Sequence, residues 1–218
     1  MNEIKIFAVD IESYSITTKY PTHSDFIIGI STHTTSSLNP SSKCHERLFI
    51  ADELTYEAEE EIIRQFLEFL NNNQGAILTA YNLVGFDQPL LLARSKEHYP
   101  LSFQFLDIIP EFSLYDTMIA YKAYSGNMKS CKLSDAITQL TDAGYDCFSL
   151  KNKPALTGKE VMCLWAKEKA GISKEFSAYA TEDSYNHMRL AQILLASRVK
   201  QGLRFAKKEG AEDIFRNP

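Results

Sequence analysis

The hydrophobic pattern changes its period along the chain, and each change predicts where one kind of element gives way to another. Residues 4–11 carry apolar side chains on both alternating faces, as expected of a central strand covered by helices. Residues 26–30, 48–51 and 76–80 are short apolar runs that predict further strands. The Ser- and Thr-rich residues 31–43 separate two of these runs and predict the tip of a long hairpin.

The helical period appears first behind an acidic turn at residues 57–61 and dominates the second half of the chain. Further helices are predicted at residues 86–94, 113–124, 132–141 and 159–169, and from about residue 174 onwards. Three strands followed by alternating helix and strand favour an α/β fold with a mixed central sheet and helices on both faces. One domain over residues 1–218 is expected at this length.

Composition bounds the class of protein without naming a function. Hydrophobic residues make up 44% and charged residues 23%, an ordinary globular balance. No run is apolar enough to span a bilayer and no signal peptide opens the chain, so we expect no membrane partner and a cytoplasmic location. The four cysteines are scattered, which predicts reduced thiols. The net charge of −5 argues for weak, local binding if the partner is nucleic acid.

The first candidate for chemistry is the acid pair Asp10 and Glu12. Positions two apart on a strand project from the same face. Two such carboxylates repel each other when buried unless a cation lies between them. A short Asp-x-Glu sequence also occurs by chance, with Glu12 solvated in a turn after the strand. This pair alone leaves both interpretations open.

The second candidate is the junction where an apolar strand runs into a turn with Asn82, followed by Phe86 and Asp87. Asp87 falls in the first turn of a predicted helix. The helix dipole favours an aspartate there without any catalytic role. A helix cap and a functional site therefore remain equal alternatives for Asp87.

The third candidate is the pair Tyr179 and Asp183, which are i and i+4 on the last predicted helix and so share one face. That face is predicted to point inward, and an inward aspartate is costly without a cation. Glu182 points about 100° away from Asp183 and is expected to be solvated. His187, one turn further along, is expected to be a hydrogen-bonded core histidine.

In this order the three segments resemble the exonuclease motifs of the DnaQ-like superfamily, and the tyrosine of the third resembles the DEDDy branch. The sequences SLYDTM at 113–118 and CKLSDAI at 131–137 are similar to the proofreading domains of family-B DNA polymerases. The chain most resembles the stand-alone predicted exonucleases related to that domain. The resemblance covers about residues 4–196 and implies an RNase H-like (DnaQ-like) fold.

The resemblance implies a 3′–5′ exonuclease that hydrolyses DNA, preferably single-stranded, with two Mg²⁺ or Mn²⁺ ions about 4 Å apart. Carboxylate oxygens are ligands that such hard ions prefer. Asp10 would bridge the ions, Glu12 and Asp183 would complete the first site, and Asp87 would hold the second ion largely through water. Tyr179 would orient the attacking water, since a phenol with a pKa near 10 is a poor general base.

The candidate substrate-binding residues are Ile11, Ser13, Asn82, Phe86, Lys129 and Lys132, the two lysines because they lie around a flexible connection expected near the cleft. Phe86 could stack on the last bases or could be a core aromatic. The lysines could hold phosphates or lie on a solvated surface.

Two other functions are open at this stage. The first is an exoribonuclease, because RNase D-like enzymes share the Tyr-x-x-x-Asp arrangement. The second is a catalytically silent module that binds nucleic acid or a protein partner. Such a module would be expected to lack one of the four acids, and all four are present here.

Overall fold

The computed structural model describes residues 4–14, 22, 25–99, 101–126, 132–149, 156 and 158–208. The strands are β1 (Ile6–Tyr14), β2 (Phe26–Thr35), β3 (His45–Ile50), β4 (Ile77–Ala80) and β5 (Ser113–Asp116). The helices are α1 (Tyr56–Asn71), α2 (Gln88–Glu97), α3 (Leu101–Ile108), α4 (Thr117–Ser125), α5 (Leu133–Asp142), α6 (Gly158–Lys169) and α7 (Glu175–Lys208). A single π-helical turn, Leu83–Asp87, leads into α2. No helix within these ranges is long and apolar enough to cross a membrane.

The five strands form one mixed sheet in the order β3-β2-β1-β4-β5. The first three strands are a meander, so β1 pairs with β2, and β2 with β3, in antiparallel fashion. The chain then returns through helices, and β4 and β5 add in parallel on the other side of β1. This topology confirms the predicted mixed sheet and places β1 at its centre.

Helices cover both faces of the sheet because β1 is apolar on both of its alternating faces. Phe7, Val9 and Ile11 belong to the core that the sheet forms with α1, α2 and α3. Ile6 and Ala8 lie on the opposite face, in a buried cluster with residues of α7. The prediction of a central strand between two helical layers is confirmed.

The helix α7 packs closely against the sheet where β2 has no side chain. A Cβ atom placed on Gly29 would lie 3.0 Å from Cζ of Phe176, closer than side chains normally pack. The ring of Phe176 is fully buried. Glycine at this position therefore lets the first turn of α7 lie against the strand.

Two of the predicted elements were wrong. Residues 31–35 belong to β2 and not to a hairpin tip, because their polar side chains are buried and satisfied: the hydroxyl of Ser31 donates to the carbonyl of Ala180 at 2.7 Å. Residues 113–116 form β5 and not the start of a helix. In this short strand Ser113 and Leu114 are exposed, so no apolar run marks it. The short helix α3 was not predicted at all.

A buried ionic cluster joins α1, α2 and the start of β2. Glu59 is 1% exposed, and its carboxylate accepts hydrogen bonds from Nε and Nη2 of Arg94 at 2.8 and 2.5 Å. It also accepts from the backbone N–H of Ile27 at 2.7 Å and lies 2.8 Å from Nε2 of His98. Buried charges are tolerated only when paired in this way. The cluster fixes α2, and with it the turn that precedes α2, to the sheet.

We predict that Glu59→Gln lowers the free energy of unfolding by about 3 kcal/mol or more, because the guanidinium of Arg94 is left buried without a counter-charge. Urea denaturation measures the loss. The matched control is Glu61→Gln on the same helix, whose exposed carboxylate pairs with Arg64. That change should leave the midpoint almost unchanged. Equal losses in the two variants would show that burial of the cluster contributes nothing.

Candidate active site

Asp10 and Glu12 lie on the face of β1 that is turned towards α7. Both are within the strand, which continues to Tyr14, and Glu12 pairs with Gly29 of β2. The alternative in which Glu12 has left the strand for a solvated turn is therefore wrong, and its side chain is half-buried. A shift of register between Glu12 and Ser13 marks a β-bulge, a feature that often re-aims side chains beside functional sites.

The turn after β4 is built around Asn82, which adopts left-handed backbone angles of φ 70° and ψ 34°. Its carbonyl accepts hydrogen bonds from the N–H groups of Gly85 at 3.1 Å and Phe86 at 2.9 Å. A Cβ atom on Gly85 would lie 2.3 Å from Oδ1 of Asn82, so only glycine fits there without displacing that amide. A left-handed non-glycine residue costs about 1–3 kcal/mol and is found chiefly at functional sites.

Asp87 ends this turn, and its side chain is buried, with 3% exposed. It makes no capping hydrogen bond, because its backbone is already helical where the π-helical turn runs into α2. Asp87 thus occupies the N-terminal position of α2 without capping the helix through its side chain. Burial, and next the negative charge of Asp10, raise the pKa of the Asp87 carboxyl well above its ordinary value. Hydrogen bonds from the N–H groups of Asp87 and Ile11 lower that pKa only in part.

Tyr179 and Asp183 lie one turn apart on α7, both half-buried, beside the fully covered inner face of the helix. His187 fixes the helix to β1, since its Nδ1 lies 3.0 Å from the carbonyl oxygen of Val9. It is a hydrogen-bonded core histidine, as predicted. Glu182 is not solvated as predicted: it is half-buried, and its Oε1 is buried with no hydrogen-bond partner within the part of the chain that the structure describes.

The hydroxyl of Tyr179 lies in a strongly negative environment. Burial, and then the charges of Glu12, Asp183 and Asp10 in that order, raise the pKa of Tyr179 above the phenol value that the sequence suggested. The side chain therefore stays protonated at neutral pH. It can donate a hydrogen bond, and it cannot act as a base.

These couplings indicate that the five residues of the three motifs lie within electrostatic range in one region of the fold. Asp10 acts electrostatically on both Asp87 and Tyr179, and Tyr179 is also within the field of Glu12 and Asp183. The meeting point is the second half of β1, beyond the residues that pair with β4, where the turn after β4 approaches and α7 packs against the strand.

The predicted substrate residues are less uniform. Ile11 is 6% exposed and packs in the core with α1–α3, which leaves only its backbone near the site. Phe86 is half-buried and packs partly against the same core, so the structure contains some of both alternatives for this ring. Asn82 and Ser13 are half-buried, on the turn and at the bulge.

Of the two predicted phosphate-binding lysines, the structure describes Lys132, which directly precedes α5. Lys132 is exposed, and its backbone N–H donates to Oδ2 of Asp135 at 3.2 Å. Lys129 lies outside the described residues.

The contacts of Asp116 were not predicted, because the sequence pattern predicts a single helix over residues 113–124 where the structure has β5 followed by α4. Asp116 is the last residue of β5 and is 8% exposed. Its Oδ1 accepts from the N–H groups of Met118 and Ile119 at 3.0 and 3.2 Å, and its Oδ2 accepts from the N–H of Val84 at 3.1 Å. The signal in the sequence was an aspartate directly before a helical pattern, which is a typical N-cap position.

The donor set fits hard divalent cations in its chemistry. It consists of carboxylates, and the raised pKa of Asp87 shows that Asp10 and Asp87 repel each other in a buried setting that a cation would relieve. Among the described residues, however, no three His, Cys, Asp or Glu side chains are gathered closely enough to hold a metal ion as they stand. Binding would thus have to draw the carboxylates together.

The family model for the exonuclease domain of DNA polymerase family B matches residues 2–128, more than half of the chain. The chain belongs to this family. The matched segment contains Asp10, Glu12 and Asp87 and ends before α7. Family-B polymerases carry their proofreading 3′–5′ exonuclease in this domain. No curated protein matches the chain.

Two solved structures are similar in fold. The family B DNA polymerase from the hyperthermophilic archaeon Pyrobaculum calidifontis is 20% identical with a TM-score of 0.65, over 88% of this chain and 24% of the polymerase chain. E. coli Exonuclease I, in complex with a 5cy-dT13 oligonucleotide, is 13% identical over 95% of this chain and 43% of that one. Its TM-score of 0.49 is too low to support an assignment. The fold of this exonuclease-domain chain is RNase H-like. The chain spans about a quarter of the length of the polymerase.

We predict that Asp87→Asn stabilises the metal-free protein at pH 8 and that the gain shrinks as the pH falls. The pKa of Asp87 is raised in the folded state, so the stability contributed by its protonated form is present at low pH and lost as the pH rises through that pKa. Thermal melts in a chelator from pH 5 to 8 measure this.

The matched control for Asp87 is the exposed Asp107, and Asp107→Asn should show no such pH-dependent gain. A metal-free Asp87→Asn protein that is less stable than the wild type at pH 8 would contradict the repulsion between the two buried carboxylates.

Proposed function

We propose that this chain is a metal-dependent exonuclease that removes nucleotides from the 3′ end of DNA, with single strands as its preferred substrate. The observation that carries the proposal is that the turn with Asp87 and the helix α7 with Tyr179 and Asp183 both lie against the second half of β1, where His187 of α7 is 3.0 Å from the carbonyl oxygen of Val9. Membership of the proofreading exonuclease family supports the 3′–5′ direction and DNA as the substrate.

In this scheme Asp10, Glu12, Asp87 and Asp183 would hold two Mg²⁺ or Mn²⁺ ions. When bound, the ions supply Lewis-acid activation of water and neutralisation of charge at the scissile phosphate. The protein contributes carboxylates that lie in one region of the fold and would be drawn closer together by the ions. The repulsion between Asp10 and Asp87 is relieved when cations arrive, so metal binding should stabilise the fold.

Tyr179 would donate a hydrogen bond at the scissile phosphate or to the attacking water. Its raised pKa keeps the phenol protonated across the range in which carboxylates are charged. A group that stays protonated serves as a donor of fixed orientation, whereas removal of the proton from water falls to other groups.

The strand end would enter beside the turn after β4. Asn82 and the partly exposed ring of Phe86 would contact its last sugar and bases, and Lys132 and Lys129 would contact phosphates. With a net charge of −5, the chain has few cationic contacts to offset the unpairing of a duplex end, which costs a few kcal/mol. Single-stranded or frayed ends are therefore preferred.

The experiment that tests the function is digestion of end-labelled DNA in Mg²⁺ or Mn²⁺. We expect mononucleoside 5′-phosphates from a free 3′-hydroxyl, while 3′-phosphoryl and circular single strands resist. Asp10→Asn should lower the rate on the order of 10²-fold or more, because Asp10 is assigned to both ions. Asp142→Asn, on the exposed end of α5, is the matched control and should be fully active.

Several results of this assay would contradict the proposal. Efficient cutting of circular DNA would show an endonuclease, and release from the 5′ end would reverse the polarity. Faster digestion of a matched RNA strand than of DNA would make the chain an exoribonuclease. An inactive wild type that still binds single strands would make it a binding module.

We also predict that Tyr179→Phe lowers turnover by about 10- to 100-fold and leaves Mn²⁺ affinity nearly unchanged, because the hydroxyl positions water and is not assigned to an ion. Calorimetric titration with Mn²⁺, alongside single-turnover digestion, separates the two effects. A large loss of Mn²⁺ affinity would place Tyr179 among the ligands.

A further inference from the structure

Asp116 makes more hydrogen bonds than the capping of a helix requires. Its Oδ1 serves the N–H groups of Met118 and Ile119, which are the bonds expected of an N-cap aspartate in α4. Its Oδ2 accepts the N–H of Val84, which is 32 residues away in sequence and belongs to the π-helical turn Leu83–Asp87. One buried carboxylate thus joins two segments of the chain.

The segment that Asp116 holds is one that would be expected to relax without support. Isolated π-helical turns are rare and often lie at functional sites. This one is entered through the left-handed Asn82, whose backbone is strained. Such conformations persist only when the surroundings fix them. The hydrogen bond to Val84 comes from the neighbouring strand and holds the outer side of the turn.

The same turn carries Asp87. Asp116 is close enough for its charge to act on the Asp87 carboxyl, although more weakly than Asp10 does. The end of β5 is itself well fixed: Thr117 donates from Oγ1 to the carbonyl of Ala80 at 2.9 Å, and Ala80 pairs with Asp116 across β4 and β5. Asp116 is therefore a rigid point from which the turn can be positioned.

We propose that Asp116 is a positioning residue for the exonuclease site, which fixes Asp87 through its hydrogen bond to the backbone of Val84. This role rests on the proposed function, since Asp87 is taken to hold a metal ion. Asp116 touches neither the ion nor the substrate in this scheme. Its effect passes through the main chain of the π-helical turn.

Asp116→Asn separates the two tasks of this side chain. The remaining amide oxygen can still accept from Met118 and Ile119, so the cap of α4 is kept. The NH₂ group that replaces Oδ2 cannot accept from Val84. Asp116→Ser is the second variant, because serine is a good N-cap and is too short to reach Val84. It serves if the asparagine variant fails to fold.

The matched control removes a cap elsewhere. Thr55 caps α1 by accepting from the N–H of Ala58 at 3.2 Å, and Thr55→Ala should lower the thermal midpoint by about 2–4 °C. Loss of a residue that supports a metal ligand typically lowers activity or metal affinity about 10- to 100-fold. We expect that loss in turnover or Mn²⁺ affinity for both Asp116 variants, and activity within about twofold of wild type for Thr55→Ala.

Amide hydrogen exchange tests the hydrogen bond from the Val84 N–H to Asp116 independently of activity. In Asp116→Asn the amide of Val84 should exchange at least tenfold faster than in the wild type, while the amides of Met118 and Ile119 stay protected. Unchanged exchange at Val84 would overturn the proposal whether or not the chain is an exonuclease. Equal losses of activity in Asp116→Asn and Thr55→Ala would also overturn it. A wild type without nuclease activity would refute only the proposed function. The exchange measurement would still show whether Asp116 holds the backbone of Val84.

Discussion

The mutual repulsion of Asp10 and Asp87 is the constraint on which the rest of the site depends. Neither carboxylate is placed for stability: Asp87 is buried, and its charged form is disfavoured both by burial and by Asp10. A fold of ordinary marginal stability can keep such a pair only if the backbone around it is firmly held. The central strand, the turn after β4 and the last helix are each fixed by contacts that do not involve the acids themselves.

Those contacts come from different parts of the fold. His187 fixes α7 to the carbonyl of Val9, and Asp116 holds the turn that carries Asp87. The cluster around Glu59 ties α2 to β2. Each is a buried or partly buried polar interaction. Each joins a segment next to the site to a neighbouring strand. Stability elsewhere in the chain comes mainly from apolar packing on either face of β1.

Much of this arrangement could be predicted from the sequence. The apolar residues on both faces of β1 predicted that it is the central strand of the sheet. The i, i+4 spacing of Tyr179 and Asp183 predicted that they share one face of α7. The order of the three motifs allowed the family to be named. The prediction for the polar residues 31–35 was wrong because the burial of Ser31 is compensated by hydrogen bonds that its hydroxyl makes with α7, which no local pattern reveals. The strand that contains Asp116 was not predicted, because four residues, two of them exposed, carry no detectable hydrophobic period.

The absence of a side chain at Gly29 determines how closely α7 can approach the sheet beside the site. It sits opposite Glu12 in the sheet, and the ring of Phe176, three residues before Tyr179, fills the space that a side chain would need. A methyl group there would act as a spacer under the first turn of α7. The helix would tilt outward, and Tyr179 and Asp183 would move away from β1 together while β1 itself stayed in place. The gap across which the two halves of the site face each other is thus set by a missing side chain on the neighbouring strand.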